Sequence, residues 1–345
     1  MTYSRVFIDA IGYELPPVVV TSQELEARLR PLYQVLHLPE GQLEALTGIV
    51  ERRWWEPGYP PSRGAAAAAL KALEASRVRP EDVEVLVYAA VCREQFEPAT
   101  ACRVAAELGA SPDTVYDVSN ACLGVLNGVV DLANRIELGQ IRAGLVVSCE
   151  TAREINDTMI ETMLQARSME VFKRSLATLT GGSGAVAVLV TDGSFSGQPR
   201  RRVLGGTTKA APQYHGLCRW GIEGVLNAAR QIMSTDSVAV LRYGVELGLR
   251  TWKAFLARLG WVGDTVDKVI CHQVGATHRD SILRALGIAP EKEFSTYEYL
   301  GNMGTVSLPL TAALAEERDF LRPGDRVGFL GIGSGLNCLM LGVEW

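Results

Sequence analysis

The chain is poor in the residues that usually announce a function. Its 345 residues include four histidines, and only 7% are aromatic. No HExxH or paired CxxC spacing is present, and His272 and His278 are too far apart to share a helix face as i, i+4 ligands. No metal site is expected. Basic charge is not in excess: 34 Lys and Arg stand against 39 Asp and Glu, a net charge of −5. No basic stripe with interleaved aromatics appears, which argues against a nucleic-acid surface. No apolar run approaches the roughly 20 residues of a membrane span. Met1 to Arg5, followed by Val6-Phe7-Ile8, lack a signal-peptide layout. The seven cysteines are odd in number and without framework spacing, and several sit in apolar runs, so reduced thiols and a cytoplasmic setting are expected. The Gly331-x-Gly333-x-Gly335 pattern precedes a strand-like run where a dinucleotide fold needs a helix, and no glycine-rich stretch carries a phosphate-loop lysine. Nicotinamide and nucleotide-triphosphate chemistry drop out.

What is present is a globular composition, 48% hydrophobic and 21% charged, in a length suited to two domains or one duplicated one. Apolar strand-like runs at 83–91, 143–148, 185–190 and 266–271 alternate with helical patterns at 64–76, 98–108 and 238–259, which predicts a layered α/β fold. Thr21 and Glu24 form a capping-box pattern at the start of another helix. The order of elements recurs: each half closes with a Gly-Ser-Gly turn (182–184 and 333–335) followed by a strand. An internal duplication is expected, with halves at 1–192 and 193–345.

Residues 117–128 are the densest stretch. Val115 to Val118 read as the end of a short buried strand, Ser119 and Asn120 are N-cap types, and Leu123, Leu126, Val129, Val130, Ala133 and Ile136 follow at helical spacing. This predicts Cys122 in the first turn of a buried helix, where free N–H groups and the dipole favour a thiolate. The same pattern also fits a small core cysteine. His272 ends a buried strand, where α/β folds gather chemistry. Asn302 lies in a loop between Gly301 and Gly304. His37 and His215 sit in polar stretches, and His278 is expected to face solvent from mid-helix. Residues 151–180 hold Met159, Met163 and Met169, suited to core packing or to the wall of an apolar ligand. For Trp54-Trp55, ordinary packing is expected ahead of a ligand entrance.

Together, Asn120-Ala121-Cys122-Leu123-Gly124, Val269-Ile270-Cys271-His272-Gln273 and Gly301-Asn302-Met303-Gly304 with Pro309 resemble the thiolase superfamily, in the branch of the type III β-ketoacyl carrier-protein synthases. The resemblance covers nearly the whole chain. Within the branch, Arg93 through Glu97-Pro98-Ala99-Thr100 and the Leu330–Cys338 end are similar to the OleA-type enzymes, which join two fatty acyl-CoA chains head to head.

The resemblance implies the thiolase fold, two duplicated α/β halves in five αβαβα layers. It implies a Cys122 nucleophile, Cys122 and Ser334 main-chain N–H groups as oxyanion hole, and His272 and Asn302 as enolate donors. It also implies Glu97 as a base supplied across a homodimer interface. Fatty acyl-CoA would be the substrate, with no cofactor, and an α-alkyl β-keto acid, a precursor of long-chain olefin, ketone or β-lactone, the product. A decarboxylating synthase fed by malonyl carrier protein is the alternative; Glu97, where such enzymes carry an apolar aromatic, argues against it. A hydroxymethylglutaryl-CoA-synthase-like enzyme and a non-catalytic subunit of this fold are further alternatives. The CoA clamp of the branch is not matched, because Gln42 and Leu46 stand in its places. For Arg200-Arg201-Arg202, a solvated turn is expected ahead of phosphate contacts.

Overall fold

Alternation of apolar runs with helices gives, in a computed structural model describing residues 1–197, 201–223 and 230–345, a layered α/β arrangement. The strands are β1 (Phe7–Glu14), β2 (Val18–Thr21), β3 (Glu51–Trp54), β4 (Val85–Ala89), β5 (Thr114–Val118), β6 (Ala143–Glu150), β7 (Gly184–Thr191), β8 (Arg202–Ala210), β9 (Cys218–Glu223), β10 (Arg230–Thr235), β11 (Lys268–Cys271), β12 (Arg326–Gly333) and β13 (Asn337–Glu344). Two runs of strands carry the fold. The first has the order β1-β7-β6-β4-β5 and the second β8-β13-β12-β11. Both begin with two antiparallel pairings and continue parallel. The runs meet at a single pairing, Phe7 with Arg202. This repeated pattern is the duplication expected from the order of elements.

The layers follow from which faces are apolar. Helices Pro61–Glu74 and Thr100–Glu107 cover the outer face of the first run through a core that includes Ala68, Ala72, Leu86 and Leu145. Helices Ser237–Leu259 and Ala276–Leu286 cover the outer face of the second through Phe255, Leu283 and Met340. Helices Gly124–Glu137 and Ser307–Glu317 lie between the runs, in one core with Val87, Val188, Ile270 and Phe329. Ser307 to Ala315 are buried without a break, as an all-round buried helix requires. Each large aliphatic side chain buried there contributes roughly 1.5–3 kcal/mol. Because both faces are covered, β4, β6 and β7 are buried along their whole length. β5, expected to be buried, is half-buried throughout, since it ends the sheet and, among the described residues, pairs with β4 alone.

A fourth core lies outside these layers. Helix Ser22–Leu36, closed by the Thr21/Glu24 capping box, packs with helices Arg153–Ala166 and Met169–Ser175 through Leu25, Leu29, Tyr33, Ile160 and Phe172. Met159 and Met163 are buried in packing. Trp54 and Trp55 also serve packing: their indole N–H groups donate to the carbonyls of Gly181 (3.0 Å) and Glu150 (3.2 Å). Arg201 pairs with Glu316 and Arg202 with Glu344, while Arg200 lies outside the described residues. All seven cysteines are free thiols. Among the described residues no helix is long and apolar enough to cross a membrane.

Helix Pro61–Glu74 approaches β1 closely at Gly12. A Cβ there would lie 2.2 Å from the Ala68 carbonyl oxygen and 2.5 Å from the Ala72 nitrogen, both main chain and unable to swing away. Gly12→Ala should therefore cost about 3 kcal/mol, the upper range for overpacking. Urea unfolding of the two proteins measures it; an unchanged midpoint would mean that the helix docks more loosely on β1.

Candidate active site

Cys122 does not lie in a helical turn. Asn120 and Cys122 form an isolated bridge, Ala121 takes a left-handed φ of 47°, and the helix starts at Gly124. A non-glycine residue held at positive φ is a strained position of the kind that clusters at functional sites. The elbow turns the sulfur into a cavity, and the expected caps Ser119 and Asn120 do not cap. The N-cap residue, Leu123, has no side-chain acceptor. Instead Thr305 Oγ1, from the second half of the chain, accepts from Val125 N at 2.7 Å.

The cavity has a volume of about 980 Å³ and mostly apolar walls, at the upper end for ligand sites. Cys122, His272, Asn302 and Ser334 all line it. His272 follows β11, its N–H bonded to the Leu330 carbonyl at 3.0 Å. Asn302 is fixed through its main chain, with its N–H on Thr180 O and its carbonyl accepting from Gly182 N, each at 2.9 Å. Its side-chain Oδ1 accepts from Gly304 N at 3.0 Å, so the amide's two N–H donors are the groups left to serve the cavity. Ser334 occupies the turn between β12 and β13. The walls are Ile155, Leu176, Ile232, Met233, Val240 and Leu241, with Leu46 at the mouth. Of the methionine-rich segment, Ile155, Leu176 and Ala177 line the cavity, whereas Met159, Met163 and Met169 do not.

Charge at the site differs from the expectation of a thiolate. Burial, and secondarily the charges of Cys218 and Glu150, push the Cys122 thiol up to about 12. The helix end that should favour the anion begins two residues later, and Thr305 already occupies the Val125 N–H. His272 is driven down to about 4, first by burial and then by the neighbouring His278. Its Nδ1 is buried without a partner. In this cavity Cys122 thus rests as a neutral thiol and His272 as a neutral imidazole.

Two residues escaped the sequence reading. Glu150, at the end of β6, is 3% exposed and faces the cavity. Its carboxylate accepts the N–H groups of Val91 (2.9 Å) and Cys92 (3.1 Å), yet burial still raises its pKa. His278, expected in solvent, also lines the cavity, and burial lowers its pKa. A strand-end glutamate in an Ser-Cys-Glu-Thr run gives no pattern to find it by. His278 lies six residues beyond His272 and falls on the cavity face only because helix Ala276–Leu286 starts at Ala276.

Glu97 is not brought to the site. Within one chain it is exposed, next to a Phe96 that is 91% exposed, in the loop between β4 and helix Thr100–Glu107. Asp117 anchors the far end of that loop by accepting from Thr100 N and Ala101 N, both at 2.9 Å.

The depressed His272 pKa has a consequence for stability. Folding favours the neutral ring, so this contribution is complete above pH 6.5 and is lost as pH falls toward 4. Wild type should lose stability relative to His272→Asn across that window, by at most about 3 kcal/mol. Urea unfolding of both at several pH values checks this, and parallel curves would show a freely ionising ring.

Known proteins bear directly on this geometry. Residues 256–345 match the family described as 3-oxoacyl-[acyl-carrier-protein (ACP)] synthase III C terminal. The chain is 59% identical to an acyl-CoA:acyl-CoA alkyltransferase of Shewanella oneidensis and 34% identical to one of Xanthomonas campestris, covering 100% of itself and of each relative. Cerulenin-bound Xanthomonas campestris OleA superposes with a TM-score of 0.94 at 34% identity, over 100% of this chain and 98% of that one. A cysteine-to-serine variant of the same OleA, with bound lauric acid and lauroyl-CoA, gives 0.93 over 99% and 100%. A cavity lined by the Cys122 elbow in this fold, with relatives of this identity over their full length, makes the chain a transferase belonging to the OleA-type acyl-CoA:acyl-CoA alkyltransferases of the thiolase superfamily.

Proposed function

We propose that the chain condenses two fatty acyl-CoA molecules without decarboxylation, through an acyl-Cys122 intermediate, to give an α-alkyl β-keto acid. The observation that carries this reading is one large apolar cavity with Cys122, His272, Asn302 and Ser334 in its wall. Its size suits long alkyl chains, and an OleA relative holds lauroyl-CoA.

In the first half-reaction the Cys122 thiol passes its proton to neutral His272 as the sulfur attacks the thioester carbonyl. The oxyanion is held by the main-chain N–H groups of Cys122 and Ser334. Collapse expels CoA, which takes the proton from His272 and leaves the ring neutral. In the second half-reaction a carboxylate removes a proton from the α-carbon of a second acyl-CoA. His272 and the Asn302 amide donate to the enolate oxygen, and the carbanion attacks the acyl-Cys122 carbonyl. Cys122 departs and takes back the proton held by the carboxylate, and water cleaves the remaining thioester, releasing the second CoA and the β-keto acid.

Glu97 is the base in this scheme. Its exposure on the isolated chain supports a homodimer in which each loop of residues 92–98 enters the partner's cavity, where desolvation would strengthen the carboxylate as a base.

Long-chain acyl-CoA alone should yield free CoA and a β-keto acid, or the ketone from its decarboxylation, by mass spectrometry. Product that forms only after malonyl carrier protein is added would sink the reading. Cys122→Ser should form no acyl adduct, whereas Glu97→Ala should form the adduct and no condensed product. Mixing the two inactive variants should restore condensation, since a mixed dimer has one site with both residues; a mixture as inactive as its parts would remove Glu97 from a partner's site.

A further inference from the structure

An oxyanion hole assembled from two turns works only while those turns keep one spacing, because a misplacement of about 1 Å can cost roughly 100-fold in rate. Cys122 belongs to the turn before helix Gly124–Glu137, and Ser334 to the turn between β12 and β13. Gly333 brings the turns close: a Cβ there would lie 3.3 Å from Cys122 N and 3.6 Å from Asn120 O. Such a contact is non-directional and fixes no register by itself.

A second cavity of about 240 Å³ is lined by Asn120, Leu123 and Asn127 on one side of the join and by Asn337 at the start of β13 on the other. A chain of amides crosses its wall. Asn337 Nδ2 donates to Asn120 Oδ1 at 3.1 Å and, more weakly, to the Ser334 carbonyl at 3.4 Å. Asn120 Nδ2 donates in turn to Asn127 Oδ1 at 2.8 Å, which fixes which way the Asn120 amide faces. The Asn120 carbonyl accepts from Leu123 N at 3.0 Å and so closes the turn that holds Cys122. Among the described residues, the Asn337–Asn120 bond is the side-chain hydrogen bond that spans the two turns. Neither residue lines the substrate cavity.

We propose that Asn337 and Asn120 are positioning residues that clamp the Cys122 and Ser334 turns and thereby set the spacing of the two oxyanion donors. Asn127 orients the clamp. The inference rests on the acyl-transfer reading of Cys122.

The test compares two reactions of the same sulfur. Acylation by a long-chain acyl-CoA passes through an oxyanion. Alkylation by iodoacetamide does not: the S–C bond forms as iodide leaves and the thiol proton goes to solvent. In Asn337→Ala and Asn120→Ala, single-turnover CoA release should fall roughly 10- to 100-fold, within the range for a disturbed oxyanion hole. KM and the Cys122 alkylation rate should stay as in wild type. The double variant should be no slower than the worse single one, because both cut the same link. Asn337→Asp, which keeps the side-chain shape but loses the N–H donor, should repeat the loss and covers the case in which an alanine variant folds poorly. Acylation and alkylation falling together would mean that the amides merely maintain the elbow, and the clamp would be wrong. Variants that acylate at the wild-type rate would overturn it too. Wild type that releases no CoA, yet is alkylated at Cys122, would overturn the acyl-transfer reading and take this inference with it.

Discussion

The buried hydrogen bond from Val125 N to Thr305 Oγ1, 2.7 Å long, is the contact on which the site depends. A helix start buried between the two runs of strands leaves orphan N–H groups, and the residue before this helix is a leucine with nothing to offer them. The acceptor comes from the loop that carries Asn302, in the other half of the chain. A cap of this kind is worth about 1 kcal/mol, and losing it here would leave a buried donor unsatisfied. The bond also fixes the Asn302 loop against the Cys122 elbow, so neither half completes the site alone.

Glu150 extends the same connection. Its carboxylate takes the Val91 and Cys92 N–H groups where β4 runs out toward the Glu97 loop, and the Thr305 main chain also donates to it. Gly304 packs directly on that carboxylate, where a Cβ would lie 3.3 Å from Oε1. One buried acid thus joins the start of the Glu97 loop, the Asn302 loop and, through Thr305, the helix that follows Cys122. Burying it costs desolvation, which the main-chain donors offset. Close backbone approach completes the join: at Gly182 a Cβ would meet the Leu300 carbonyl oxygen at 2.0 Å.

Much of this was legible in the sequence, for definable reasons. Uninterrupted apolar runs revealed β4, β6 and β7, because strands covered on both faces show no alternation. The Thr21/Glu24 box marked its helix because capping is local chemistry. Cys122, His272 and Asn302 were findable because glycines and strand ends mark where backbone must turn sharply or approach closely. What local pattern does not carry is any acceptor drawn from a distant segment. Ser119 and Asn120 had the right chemistry for caps, but the left-handed Ala121 displaces them, and Thr305 replaces them from 180 residues away. Glu150 and His278 escaped for the same reason: their roles depend on what the opposite half places against them. β5 read as buried because its composition does not reveal that it ends the sheet.

The neutral Cys122–His272 pair follows from the walls around it. An apolar cavity of this size would bear a heavy desolvation cost for a resting thiolate–imidazolium pair, and Glu150 nearby would repel the thiolate further. Keeping both groups uncharged lets the empty site remain compatible with alkyl chains. In the proposed reaction the cost of charge separation then falls within the chemical step, where the Cys122 and Ser334 N–H groups would meet it. Those donors need little reorganisation, since the elbow and the β12–β13 turn are fixed before substrate arrives. On this view the high thiol pKa does not count against Cys122 as nucleophile. In the proposed reaction it moves the demand onto the Cys122 and Ser334 N–H groups, so their spacing would matter more than in a site that stores its thiolate in advance.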